Sequence, residues 1–205
     1  MPQQRRARAT REAILVAAAE EFDRVGYAAA PLSAILRRGG VTKGAFYFHF
    51  PSKDAVAEAL VRRMHAVWPA AHHRWRERGL DPLRTLVGLV DEVAQRVSED
   101  VLARAAVRLA EEVDPAAARE PPFRAWEHTF ALLLGAAAEG GLLRPGVDPA
   151  VVARVLHAAM IGAWMVGGPG RRPETYPERV REMWRCLLPG VATDEWLSGW
   201  RAEHP

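Results

Sequence analysis

Apolar residues recur at intervals of three and four along almost the whole chain, and no run of Val, Ile or Thr alternates with polar residues at every second position. A helix brings residues three and four apart onto one face, whereas a half-buried strand needs a period of two, so the chain is predicted to be all-α. Ala, Leu, Glu and Arg, all favourable in helices, are abundant. With 205 residues, 49% of them hydrophobic, there is enough apolar surface to bury a substantial core.

Glycine and proline cut this pattern into segments. A first helix is expected at about 10–25, its stripe of Ile14, Leu15, Ala18, Phe22 and Val25 stopping at Gly26. A short second helix, about 32–38, starts after Pro31 and ends at Gly39-Gly40. Thr42 is placed to cap a third, ending near His49, and Ser52 to cap a long fourth that runs through Met64 and Trp68. Asp54 sits against the positive end of the fourth helix dipole, and Pro69 is expected to kink or divide that helix before Gly79. Later helices are expected at about 81–97, 100–113, 122–139, 149–166, 177–188 and 194–200. Asp148-Pro149 reads as a cap with proline in the first turn, and 167–170 (GGPG) as a stop. The segment from Pro115 to Pro122 has no large apolar residue before Phe123 and is expected to be a mobile loop.

The formal net charge is only +3, but it is unevenly distributed. Nine Lys and Arg stand against four acids up to Lys53, and 19 against 21 beyond it. Such asymmetry suggests a polyanion-binding module, residues 1–53, attached to a near-neutral body, residues 54–205. The lone Cys186 has no disulfide or metal-binding partner of the same type, which fits a reducing cytoplasm, and is expected to be a small buried or half-buried apolar residue. The polar, Arg-rich start shows no signal peptide, and the longest apolar run, 158–168, falls short of the roughly 18 residues of a membrane span, so a soluble protein is expected.

One segment, GVTKGAFYFHFPSKDAV (40–56), concentrates aromatic and basic groups. Two short helices joined through a glycine-containing turn form a helix-turn-helix, whose second helix enters the DNA major groove. Helical spacing sorts the aromatics: Phe46 and Phe50 share a face and can pack with Val41, Ile35 and Phe22, while Lys43 and Tyr47 lie opposite with Gly44 and Phe48 beside them. That second face is assigned to DNA. Lys43 offers charge to phosphate or hydrogen bonds to guanine, and Gly44 allows close approach. Tyr47 and His49 can donate to phosphate, Thr42 adds an anion site with the first free N–H groups, and Lys53 supplies a further phosphate contact. An amphipathic hairpin without a nucleic-acid role would explain Phe46 and Phe50 but leave Tyr47 and Phe48 exposed to no purpose.

Enzymatic signals are weak. There is no Walker loop, G-x-S-x-G elbow or H-E-x-x-H. His72 and His73 project about 100° apart on a helix, which does not suit a shared metal ion, and Glu111-Glu112 reads as a solvated face. No catalytic residue, metal or cofactor is expected.

The ordered series ATREAILVAAAEEFDRVGY, LSAILRRGGVTKGAFYFHF and SKDAV, covering about 9–60, resembles the N-terminal domain of the TetR family of transcriptional repressors. The resemblance implies a homodimeric all-α repressor of a double-stranded DNA operator, with a ligand pocket and a four-helix dimer interface in its larger C-terminal domain. Within that family, VTKGAFYFHFPSKDAVAEAL, FRAWEHTF and MVGG are similar to the γ-butyrolactone autoregulator receptors of actinomycetes, which release DNA on binding a small lipophilic lactone. A regulator answering to an antibiotic or a furan-type signal is the alternative, and a helical protein-interaction domain without DNA binding a more distant one. The chain departs from the family at Ala30-Pro31, where a Thr-Thr pair usually caps the second helix and contacts phosphate; Ser33 is the nearby hydroxyl that could stand in.

The resemblance singles out Trp126 as lining the effector pocket. By spacing alone, Phe123, Trp126 and Phe130 form an apolar stripe that is more often core. Met64, Trp68, Leu86, Val90, Leu109, Leu133, Met160 and Trp164 are further inward-facing candidates, since an apolar cavity suits a lipophilic effector. For dimerisation, Val151, Val155, Ala159 and Gly162 form one face and Val180, Met183, Trp184 and Leu187 the next, small residues admitting large ones.

Overall fold

The computed structural model describes residues 2–112, 122–166 and 175–203, with side chains placed for all of these except 2–3, 65–68, 111 and 122–124. The elements there are all helical: α1 Pro2–Val25, α2 Leu32–Gly39, α3 Lys43–His49, α4 Lys53–Arg76, α5 Pro82–Glu99, α6 Val101–Glu112, α7 Pro122–Glu139, α8 Pro149–Met165, α9 Tyr176–Val191 and α10 Asp194–Glu203. The expected all-α class holds. The stop at 167–170 and all but the last residue of the Pro115-to-Pro122 loop lie outside the described residues.

Several helix ends differ from expectation, the last among them, since α10 runs to Glu203 rather than Trp200. Helix α1 begins eight residues earlier in the numbering, at Pro2 rather than Thr10, because Gln, Arg and Ala sustain a helix without a buried face. Thr10 lies in mid-helix, its hydroxyl donating to the Arg6 carbonyl at 3.0 Å. Of the kink or division expected at Pro69, the division does not occur, since α4 continues to Arg76, and α9 runs on through Pro189 to Val191. A proline removes one hydrogen bond of the ladder while the neighbouring turns keep theirs. The α9 end is also held from outside, where Arg144 donates its backbone N–H to the Val191 carbonyl and its Nε to the Pro189 carbonyl, each at 2.9 Å.

Contacts divide the chain into two units, residues 1–69 with 99–120, and residues 70–98 with 121–205. The expected division at Lys53 therefore differs in two respects: the break falls within α4, and α6 joins the N-terminal helices. The reason is the packing of α6 on α1. Ala105 and Leu109 share a core with Ile14, Leu15, Phe22, Ile35, Phe46, Phe50 and Leu60. Polar contacts fix the same contact: Arg104 pairs with Asp23 at 2.9 Å, Arg108 donates to the Asp23 carbonyl at 2.6 Å, and Glu112 accepts the Tyr27 N–H at 2.7 Å. Gly26 makes this approach possible, having φ 84° and leaving the space where a Cβ would sit 2.9 Å from Arg108.

In the second unit α5 is buried along most of its length, from Leu83 to Val97. Helices α7 and α8 pack together, and His157 of α8 meets the Phe130 ring edge-on at 6.5 Å and the Glu127 carboxylate at 3.6 Å. Carboxylates aim tryptophans of this unit: Trp184 donates to Asp91 and Trp196 to Asp81, both at 3.0 Å. Trp75 brings the end of its six-membered ring against α5 at Gly88, where any methyl group would overlap it, and donates to Glu92 at 2.7 Å.

The dimer-face expectation needs correcting for α9. Val180 and Trp184 are buried inside their own unit, because the inward stripe of α9 is Val180, Trp184, Leu188 and Val191. Met183 and Leu187 are half-buried at its flank, while Val151 and Val155 of α8 are 43% and 46% exposed. Cys186 is exposed rather than buried.

Candidate nucleic-acid interface and effector region

The turn between α2 and α3 is set by backbone chemistry. Gly40 adopts φ 60° at the end of α2, and the Val41 N–H reaches back to the Leu36 carbonyl at 3.1 Å, a glycine stop that satisfies the last carbonyls. Two residues later Thr42 caps α3, its hydroxyl accepting the Ala45 N–H at 3.1 Å. Pro31 precedes α2 with an extended backbone and makes no side-chain cap. Ser33 is exposed.

Helix α3 then separates its aromatics as the spacing requires. Phe46 is fully buried and Phe50 nearly so, with the Arg11 guanidinium 5.0 Å above the Phe50 ring. Lys43 and Gly44 are exposed, Tyr47 is 48% exposed and Phe48 79%. Tyr47 stands perpendicular to Phe46 at 5.4 Å, and Phe48 perpendicular to His49 at 5.0 Å. Space above Gly44 is open, with no atom within 4 Å of a Cβ position. The result is a short helix with a locked apolar underside and a basic, aromatic upper side.

Lys53 departs from the role expected of it. Its ammonium donates to the Tyr27 and Ala30 carbonyls at 2.8 and 3.0 Å and lies 4.3 Å from the Tyr27 ring centre. Only one of its three N–H groups stays available for phosphate. The Tyr27 hydroxyl in turn donates to Asp54, and burial together with that carboxylate pushes the phenol up to about 12. Lys53, Tyr27 and Asp54 thus tie the α1–α2 loop to the start of α4, where Ser52 accepts the Ala55 N–H at 3.1 Å.

Glu21 is a further structural residue that the sequence reading missed. Its side chain is 1% exposed, paired with Arg24 at 2.6 Å and with Arg38 of α2 at 3.4 Å. The hydrogen bond from Arg24 holds the carboxyl below its ordinary value, against the opposing effect of burial. A signal was present: an acid adjoins Phe22 and follows Ala18 by three, on the apolar stripe of α1.

The effector candidates fall in different places. Leu109 belongs to the core of the first unit, so it is a packing residue, and Met64, half-buried, lies in the same unit. The Trp68 side chain is outside the described residues. The second unit holds the others: Trp126 and Leu133 are half-buried on α7, and Leu86, Val90, Phe130, Met160 and Trp164 are buried. Trp164 meets Tyr176 edge-on at 5.6 Å; neither Tyr176 nor His157 was singled out from sequence, since each stands as a single polar aromatic in an apolar pattern. Among the described residues no group of three His, Cys, Asp or Glu is arranged to hold a metal ion, and no helix is long and apolar enough to cross a membrane.

A capped helix-turn-helix with an exposed basic and aromatic face, followed by a larger helical body, defines a DNA-binding protein of two-part design. Residues 14–60 match the bacterial regulatory proteins of the tetR family, and residues 81–193 the tetracyclin repressor-like C-terminal domain. The chain belongs to the tetR family of bacterial regulatory proteins. It is 35% identical to the A-factor receptor protein of Streptomyces griseus over 94% of its own length and 67% of that protein's. Among solved structures it is similar to a gamma-butyrolactone receptor (ArpA-like protein), with TM-score 0.82, 31% identity, and 93% and 92% of the two chains covered. The TetR family protein CprB of Streptomyces coelicolor, solved with its biological operator sequence, gives TM-score 0.80 and 32% identity over 93% and 92%.

Proposed function

We propose that this chain is a repressor that binds a palindromic operator as a homodimer and is released from it by a small lipophilic effector of γ-butyrolactone type, acting in the cytoplasm. The single observation that carries the DNA reading is the upper face of α3, where Lys43, Gly44, Tyr47 and Phe48 are presented over a buried Phe46 and Phe50. Lys43 and Tyr47 contact the duplex, Thr42 and the first N–H groups of α3 meet phosphate, and His49 and the remaining N–H of Lys53 lie at the margin. Similarity to the A-factor receptor and to a γ-butyrolactone receptor over more than nine-tenths of the chain supports the effector class. Trp126, with Phe130, Leu133, Leu86, Val90, Met160 and Trp164, supplies the apolar surroundings such a lactone needs. Dimerisation uses the exposed Val151 and Val155 of α8, with Ala159 and Gly162 along the same helix and Met183 and Leu187 beside them on α9.

An effector held against Trp126 acts on DNA through α4, the helix that both units share. It releases DNA only if it binds the DNA-incompetent state more tightly, by on the order of 5 kcal/mol for a nearly complete switch. The test uses the promoter fragment preceding the protein's own gene and a synthetic γ-butyrolactone carrying an alkyl chain. Wild type should shift the fragment and release it on titration; Trp126→Ala should shift it equally and release little. Equal release from both proteins makes Trp126 a core residue, and no shift by either refutes the DNA reading for that promoter.

A further inference from the structure

The second unit carries a groove of about 490 Å³ between α9, α10 and the edge of α5, well away in sequence from the Trp126 stripe and lined by Asp91, Arg181, Trp184, Arg185, Leu188, Pro189, Leu197, Trp200 and Arg201. Its volume lies within the range of small-molecule sites. Trp184, Leu188 and Leu197 are buried and form an apolar floor, with Trp184 fixed by its hydrogen bond to Asp91 at 3.0 Å. Trp200 forms a wall, itself held by stacking on Trp196 with the rings 11° from parallel. Arg181 and Arg185 stand four apart on the exposed side of α9, and Arg201 faces them from α10.

The charges distinguish this groove from its neighbour. The adjoining groove of about 600 Å³, which shares Asp91 and Trp200, contains Arg84 matched to Asp81 and Glu203 at 2.6 and 2.8 Å. In the α9–α10 groove, Arg185 and Arg201 make no ion pair among the described residues, and Arg181 makes only a 3.3 Å contact with the Pro177 carbonyl. Three guanidiniums face one carboxylate, and that carboxylate is already bonded to Trp184. Guanidiniums left open beside indole rings match a ligand that has both a planar apolar body and an anionic head: the body packs on Trp200 and the leucines, and the head takes charge-assisted hydrogen bonds from two arginines.

We propose that this groove is a second small-molecule site, which takes an aromatic carboxylate, with Arg185 and Arg201 as its anion ligands and Trp200 as its stacking wall. It is separate from the effector region around Trp126 and does not depend on the DNA reading. By bridging α9 to α10, the bound acid holds the last helix onto the body.

Calorimetric titration of the full-length protein with sodium naphthoate, the neutral naphthalenemethanol and the cationic naphthylmethylammonium tests it. Naphthoate should bind with one equivalent per chain, and the neutral and cationic compounds about tenfold or more weaker, since a charge-assisted hydrogen bond is lost in each. Arg185→Gln/Arg201→Gln should weaken naphthoate at least about tenfold, whereas Arg78→Gln, in the neighbouring groove, should leave it unchanged. Both altered arginines are exposed, and a ligand-free melt of the double variant verifies its fold; should it melt early, the single variants are titrated and each should still weaken binding. No naphthoate binding, equal affinity for the neutral alcohol, or wild-type affinity in the arginine variants overturns the proposal.

Discussion

Lys43 and Tyr47 stand one helical turn apart on the exposed side of α3, while Phe46 between them is fully buried. Removing Lys43 leaves the core untouched, and removing Tyr47 gives up only its edge contact with the Phe46 ring. Lys43→Ala and Tyr47→Ala are expected to melt like wild type and to weaken operator binding by about tenfold or more. For Lys43→Ala, the dependence of binding on salt should also fall by about one unit if the ammonium neutralises a phosphate. Wild-type affinity in both variants would remove α3 from the interface. Lys53 teaches a different point. Its number and charge suggested phosphate, but a lysine beside two loop carbonyls and a tyrosine ring serves first to hold the chain in place.

Helices α7 and α8 meet through His157, whose ring is mostly buried against Phe130 and near Glu127. Burial lowers its pKa from the ordinary 6.5, and the Glu127 carboxylate only partly opposes this. The unfolded chain then binds a proton that the folded one resists, so the stability associated with neutral His157 is complete above about 6.5 and is lost as the pH falls through that value toward the folded pKa. Melting temperature should decline between pH 7 and pH 5, and the decline should be smaller in His157→Gln. An identical decline in the variant would show that other groups control it. Neither the partner nor the burial was legible beforehand, because they arise from two helices brought side by side. Caps were legible: Thr42, Ser52 and Asp148 each accept backbone N–H groups at 2.8 to 3.4 Å, since capping depends only on residues two or three positions away.

At the scale of the whole molecule, the proposed twofold dimer would present two copies of α3 to successive faces of the major groove. Footprinting is expected to show two protected half-sites in inverted orientation, about one helical turn or a simple multiple apart; one asymmetric protected site in a stoichiometric complex would contradict the dimer. Helical class, helix order, the glycine turn and the face of α3 were determined by the sequence itself, because period, capping and turn chemistry act over fewer than about ten residues. Tertiary structure decided the rest. It took α6 into the first unit through Leu109, Arg104 and Arg108, buried Glu21 between two arginines, and turned Val180 and Trp184 inward while leaving Val151 and Val155 exposed. An apolar stripe shows which residues leave water, but many partners satisfy the same stripe, because burial is non-directional and favours any apolar surface that fits. Only the arrangement of neighbouring helices selects among them.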